Sequence, residues 1–275
     1  MCLGKNKEIN MDKKIGMLLY LLLTFCFTSH AQSENVWNGR RCAVVLTYDD
    51  ALNVHLDNVV PILDSLSLRA TFYLSGYSKG CRERLADWRG AATTGHELAN
   101  HSLFHPCTGN IPGRSWVKPE YNLGNYTLQR LLDELRMTNT LLESIDGKTS
   151  RTLAYPCGDT QIGDSSFIDD IKNDFSAARG VKSEMSKINN VDLFNIPAYG
   201  INGESGEQLI ALVKTAMKDN MLLVFLFHGV GGEHNLNVSL KAHRELLHFL
   251  KQHEKEIWVV PFQEAAKFVK EYTAK

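Results

Sequence analysis

Short apolar runs of strand length alternate with longer stretches of helical spacing along most of this chain, and that alternation restricts the fold more than any other feature. Residues 42–48, 69–76, the start of "HELANHS", 152–156, 221–229 and 257–260 read as strands, with β-branched and aromatic residues ending in abrupt polarity. Helices are expected over 58–66, 85–93, 127–145, 165–173, 208–218, 240–252 and 263–271. The clearest is 127–145, where Leu128, Leu131, Leu132, Leu135 and Leu142 recur at helical spacing ahead of Gly147. Repeated strand–helix units imply an α/β fold around a mostly parallel sheet, open or closed into a barrel. Such folds gather their chemistry at the C-terminal ends of the strands.

The reactive residues fall at those ends. Asp49 and Asp50 close the first strand, His101 and His105 follow the third, and His228 ends "LLVFLFHG". Two adjacent carboxylates repel and resist burial unless something positive lies between them. Carboxylate and imidazole together are the ligand set of zinc and other divalent first-row metals, so a cation answers the repulsion. One aspartate would bind it and the other would serve a water as base. His101 and His105 are four apart, so a helical turn would put both rings on one face. Each signal alone has a bland counterpart, a turn or a core histidine; their order and placement together raise the odds. His243 and His248 read as surface histidines, and His55, His96, His234 and His253 as structural or surface.

Residues 1–31 read as a secretory leader. Lys5, Lys7, Lys13 and Lys14 precede an apolar run over 15–27, and Ser29-His30-Ala31 offers a small-x-small exit. The run is too short for a confident membrane span, and Phe25 before Cys26 argues against lipidation. Export to the periplasm or medium is the expectation, leaving one domain over 32–275. With 30 basic and 31 acidic side chains the chain is nearly neutral, which argues against nucleic acid as partner. Cys42, Cys81, Cys107 and Cys157 remain after the leader, in no zinc-ribbon or CxxC spacing.

"LTYDD", "GHELANHSLFH" and "VFLFHG" resemble the first, second and fifth motifs of the polysaccharide deacetylase (NodB-homology) superfamily of carbohydrate esterases, and "ATFYLSG" fits between the first two. The resemblance spans about residues 41–268. It implies a distorted (β/α) barrel with fewer than eight complete units and metal-dependent removal of acetyl groups from glycans, often N-acetylglucosamine polymers. Carried over, Asp50, His101 and His105 are the metal ligands, Asp49 the general base and His228 the general acid. One divalent metal is implied, zinc first, with cobalt or manganese as alternatives, and an acetylated oligo- or polysaccharide as partner.

The third motif departs from the family's Arg-x-Pro-Tyr-Gly, reading "AYPCG" over 154–158. Ala154 stands where the arginine that steers the catalytic aspartate is usual. Cys157 replaces the tyrosine and would still offer its backbone N–H to the oxyanion. Arg151 is three residues earlier and would point the other way; Arg179 is the candidate replacement charge, against a plain surface arginine. The family's fourth motif is not visible. Trp116, Tyr155 and Tyr199 are the expected substrate contacts. Trp116 lies in a loop over 106–126 that also carries Tyr121 and Tyr126, too long for a mere connector. Its rings either wall the substrate or pack the loop down. Cys107 and Cys157 either form a disulfide or leave a thiol near the metal. Two other functions compete with deacetylation: a catalytically silent glycan-binding protein, and a metal-dependent amidase on a non-sugar C–N bond.

Overall fold

The computed structural model describes Met1 and residues 35–275, so the rest of the expected leader and Cys26 lie outside the described residues. Its centre is β1 (Cys42–Asp49), buried along its whole length. Alternation sends Val44, Leu46 and Tyr48 to one core, against the helices, and Ala43 and Val45 to a second core, on the inner face of the sheet. Asp49 has the parity of the inner set.

Around β1 stand β2 (Thr71–Leu74), β3 (Glu97–Asn100), β4 (Thr152–Ala154), β5 (Ala177–Arg179), β6 (Tyr199–Gly200), β7 (Leu222–Phe227) and β8 (Ile257–Val259). The main path runs β5-β4-β3-β2-β1-β7-β6, every pairing parallel. β8 pairs the first half of β1, Cys42–Val44, on parallel register, while β2 pairs Thr47–Asp49. The result is an open, curled, incomplete parallel barrel, as the alternating pattern required.

The helices α1 (Val60–Ser65), α2 (Lys79–Glu83), α3 (Leu85–Thr93), α4 (Leu128–Asp146), α5 (Gly206–Asp219), α6 (Leu240–Gln252) and α7 (Phe262–Thr273) cover the outside and the floor. Thr127 caps α4 by accepting the Arg130 N–H, and Gly147 closes it in left-handed conformation at φ 73°. Ser205 and Gln208 form a reciprocal capping box on α5. Phe262, Ala265, Ala266 and Val269 of α7 enter the inner core. The floor beneath them is tied by Glu97, which accepts from Thr71 (2.7 Å), Thr152 (2.5 Å) and the Gln263 N–H (2.9 Å).

Two expectations fail. Residues 165–173 form no helix: Ser165–Ser166 pairs with Gln161–Ile162 and the chain then winds through turns. Phe167 and Ile171 are buried all the same, because successive i→i+3 bonds, such as Asp170 N–H to Phe167 O, supply the spacing a helix would have given. His243 is also not a surface residue. It is 1% exposed, and its Nε2 lies 2.8 Å from the Tyr48 hydroxyl.

Burial holds the pKa of His243 down to about 3 and that of His96 down to about 4. Both stay neutral when folded but take up protons on unfolding below about pH 6.5. Their contribution is complete above that value and is lost as pH falls toward 4, at about 1.4 kcal/mol per pH unit for each group. Urea unfolding at pH 7 and pH 5 should show this drop; equal unfolding free energies at the two values would refute it.

Candidate metal centre and active site

Asp49 and Asp50 reach one spot because the strand ends between them. Asp50 and Ala51 have φ of 78° and 54°, a left-handed turn rarely adopted by side-chain-bearing residues. It turns Asp50 toward the barrel mouth, where Asp49 already points. Asp49 is 3% exposed.

The histidines arrive by a route other than the expected helical turn. Ser102 and His105 are both left-handed, at φ 61° and 53°. Asn100 Oδ1 accepts the Ser102 N–H (2.7 Å), and Ser102 Oγ accepts the His105 N–H (2.9 Å), so the loop is held by side chains. The two rings sit 4.7 Å apart at 73°. Asp50 Oδ1 lies 3.6 Å from Nε2 of both His101 and His105.

These separations fit a shared cation. Bonds of about 2.0–2.2 Å in tetrahedral array put neighbouring ligand atoms about 3.3–3.6 Å apart, whereas 3.6 Å is too long for a hydrogen bond. His101 Nδ1 lies 2.8 Å from Ala154 O, so Nδ1 carries the proton and Nε2 presents its lone pair to the mouth. Burial holds the His101 pKa near 4, which favours the neutral ligand form. Asp50, His101 and His105 therefore fit a divalent metal. A second cluster, His105 with Cys107 and Cys157, has similar proximity. Its sulfurs are joined in a disulfide and are not thiolate ligands.

Arg179, the last residue of β5, is fully buried and donates from Nη2 to Asp49 Oδ2 at 2.5 Å. Its guanidinium also lies over the Tyr73 ring at 5.0 Å and donates to Gly180 O. Burial pushes the Asp49 carboxyl upward, but Arg179, His101 and His228 outweigh it and hold the group below its ordinary value. Asp49 Oδ1 is buried without a hydrogen-bond partner among the described residues, while Oδ2 lies 3.8 Å from His101 Nε2. Arg151 points elsewhere, as strand parity required, and pairs with Asp146.

His228 follows β7 with Nε2 3.9 Å from Asp50 Oδ2. The pocket is about 310 Å³ and includes Asp49, Asp50, His101, His105, Trp116, Cys157, His228 and His234 among its walls. Trp116 is 59% exposed, its ring available at the rim. Cys157, at φ 59°, sits in the turn after β4.

Tyr155 reaches the wall but is 1% exposed, with its hydroxyl donating to Phe194 O and its ring against Phe167. It is a packing residue. Tyr199 is corrected as well: it packs against the helix-side core, and its neighbour Gly200 faces the pocket instead. Tyr126 packs the loop down beneath the Arg130 guanidinium, 3.8 Å from its ring.

The Cys107–Cys157 disulfide links the metal-ligand loop to the turn after β4 across 50 residues. Arg114 reinforces the link, donating to Asp159 and to Cys157 O. A loop of that length predicts that Cys107→Ser costs about 2–4 kcal/mol. Guanidinium unfolding with and without a dithiol should give the same loss in the parent chain and no further loss in the variant.

His234 was missed. Its ring stacks on His228 at 4.7 Å and 13°, and its Nε2 lies 4.0 Å from Asp50 Oδ2. The signal available in the sequence was Gly231-Gly232 after His228, a turn able to bring His234 back.

Fold and centre together define an α/β protein with an open, incomplete barrel and a two-histidine, one-carboxylate cluster able to hold a metal beside a buried aspartate. The sequence profile of the family described as Polysaccharide deacetylase matches residues 38–173, and the chain belongs to that superfamily, of carbohydrate esterase type. Among solved structures it is similar to a protein from Mycobacterium smegmatis described provisionally as a polysaccharide deacetylase. That pair shares 14% identity over 85% of this chain and 92% of the other, with a TM-score of 0.61. It is also similar to the Xyl-CE4 domain of a multidomain xylanase from the hindgut metagenome of Trinervitermes trinervoides, at 19% identity, 82% and 90% coverage and TM-score 0.54. A third is the catalytic domain of peptidoglycan N-acetylglucosamine deacetylase from Eubacterium rectale ATCC 33656, at 15%, 80% and 89%, and 0.51. These likenesses establish the fold. The curated relative, uncharacterized protein YlxY of Bacillus subtilis (strain 168), is 29% identical over 106 residues, 38% of this chain; the match spans 28% of that relative's length. Among the described residues no helix is long and apolar enough to cross a membrane.

Proposed function

We propose that this chain is a metal-dependent hydrolase that removes acetyl groups from an extracytoplasmic glycan containing N-acetylglucosamine. The observation that carries the reading is the buried Arg179–Asp49 pair set against the Asp50, His101 and His105 cradle. Asp50, His101 and His105 would hold a divalent cation, zinc first, and the chemistry it would supply there is Lewis-acid activation of the acetyl carbonyl and of water. Asp49 takes the proton at Oδ1, the oxygen that Arg179 leaves free. Arg179 keeps that carboxylate ionised and fixes its orientation, the task that Ala154 cannot perform from the third motif. The Cys157 N–H would face the developing oxyanion, and His228 would return a proton to the leaving nitrogen. Trp116 offers a ring face to the sugar.

The missing third-motif arginine favours a silent glycan binder; the buried Arg179–Asp49 pair supports the hydrolase reading against it. The exported location follows from residues 1–31 as a leader.

The test is acetate release by the chain stripped of metal and reloaded with zinc, cobalt or manganese, on chitooligosaccharides, peptidoglycan and acetylated xylan. Release that disappears with the chelator and returns with metal supports the reading. Stoichiometric metal binding with no acetate from any substrate would leave the glycan binder or the non-sugar amidase. No metal binding would sink it.

A further inference from the structure

His234 is absent from the metal cradle, yet the chain devotes a built loop to placing it. Gly229–Val230 pairs with Asn237–Val238, and Asn237 Oδ1 accepts the Gly232 N–H at 2.9 Å. Between these anchors Gly231, Gly232 and Glu233 all have positive φ, at 77°, 140° and 67°. For Glu233 that conformation is costly, and the surroundings hold it there. Its carboxylate accepts from Asn53 Nδ2 (2.6 Å) and the Val54 N–H (2.7 Å), clamping the loop to the segment after β1. At Gly229 a side chain would strike Gly232 O at 2.4 Å, so the close approach requires glycine.

The backbone also sorts the histidines by tautomer. His101 donates from Nδ1 and so presents a lone pair at Nε2. His234 is the reverse: the Leu236 N–H donates to its Nδ1 at 3.0 Å, a shorter contact than Nδ1 to Leu236 O at 3.4 Å. The neutral ring then carries its hydrogen on Nε2, directed into the pocket near Asp50 Oδ2. An Nε2 that bears a proton does not ligate a metal. It is a fixed hydrogen-bond donor, part exposed at the mouth, between the His228 ring and the apolar rim of Leu236 and Trp116. A directional donor beside apolar faces is the pattern that recognises a hydroxylated ring.

We infer that His234 is a specificity-determining residue whose Nε2–H binds a hydroxyl of the sugar that carries the acetyl group. This rests on the deacetylase reading for the choice of substrate, and His228 remains the proton donor to the leaving group. The expectation is a binding defect more than a chemical one. His234→Gln keeps an N–H donor at about the same reach, whereas His234→Phe keeps the ring and removes the donor.

The experiment has two arms. In the metal-loaded Asp49→Asn background, titration calorimetry with tri-N-acetylchitotriose should show binding weakened about tenfold or more by His234→Phe, but only about threefold by His234→Gln. In the active chain, His234→Phe should raise KM on that trisaccharide far more than it lowers kcat, with a loss about tenfold smaller on a simple aryl acetate. Zinc content should be equal in all variants. Loss of zinc from His234→Phe would make the residue a ligand and overturn the inference, as would equal sugar binding by parent and Phe variant, or a Gln variant no better than Phe. If the parent binds the trisaccharide through His234 but releases no acetate, the inference stands and the deacetylase reading falls.

Discussion

Asp49→Asn is expected to cut acetate release by about 10²–10⁴-fold while leaving zinc content unchanged. The change is isosteric and keeps one oxygen for Arg179, so the buried site keeps its shape. What it removes is the ionised carboxylate whose Oδ1 has no partner among the described residues. The general-base range applies because the carboxyl is already held ionised below its usual range by Arg179, His101 and His228 against its burial. Asp50→Asn should behave differently, lowering metal occupancy along with activity, because Asp50 Oδ1 faces both ligand imidazoles. Metal analysis beside an acetate assay separates the two aspartates. If Asp49→Asn lost metal and Asp50→Asn kept it, the assignment of base and ligand would be reversed.

Much of this centre was legible because strand parity and strand ends are local properties. The alternation in "CAVVLTYDD" already puts Asp49 inward, and parity alone separated Arg151 from the site. Arg179 could be nominated from "FSAARG" at a strand end, but its contact with Asp49, 130 residues away, depends on the curl of the sheet. Parity applied equally to Tyr199 and Gly200 would have placed the glycine, not the tyrosine, at the pocket. His243 was also readable: with Leu246, Leu247 and Leu250 it lies on the buried stripe of α6. The His101–His105 geometry was not. Spacing of four suggested a helix, while Ser102 and His105 adopt left-handed backbone held by Asn100 and Ser102, a tertiary solution that no periodicity reports. His234 was hidden for the same reason, since its position depends on Glu233 reaching Asn53 and Val54 in the segment after the neighbouring strand β1.

Arg179→Met should destabilise the fold by about 3–5 kcal/mol, the penalty for leaving a buried carboxylate without its partner. Asp49 cannot turn to water, since it is 3% exposed and neighbours a second carboxylate. Its one escape is to accept a proton, which lifts its pKa. The sign follows from the pair: with Arg179 present the folded pKa lies below the unfolded one, so the stability it contributes is held at neutral pH and lost on acidification. Without Arg179 the folded value rises, so the variant should recover stability as the pH falls through the new value, opposite to the parent. Activity should show the mirror image, with its acid limb moved to higher pH because a protonated Asp49 cannot act as base. The double variant Arg179→Met/Asp49→Asn removes both charges and should regain most of the stability without regaining activity. Urea unfolding of the parent, both single variants and the double variant measures the coupling. A double variant as unstable as the sum of the singles would mean that Arg179 acts through its contacts with Tyr73 and Gly180 and not through Asp49.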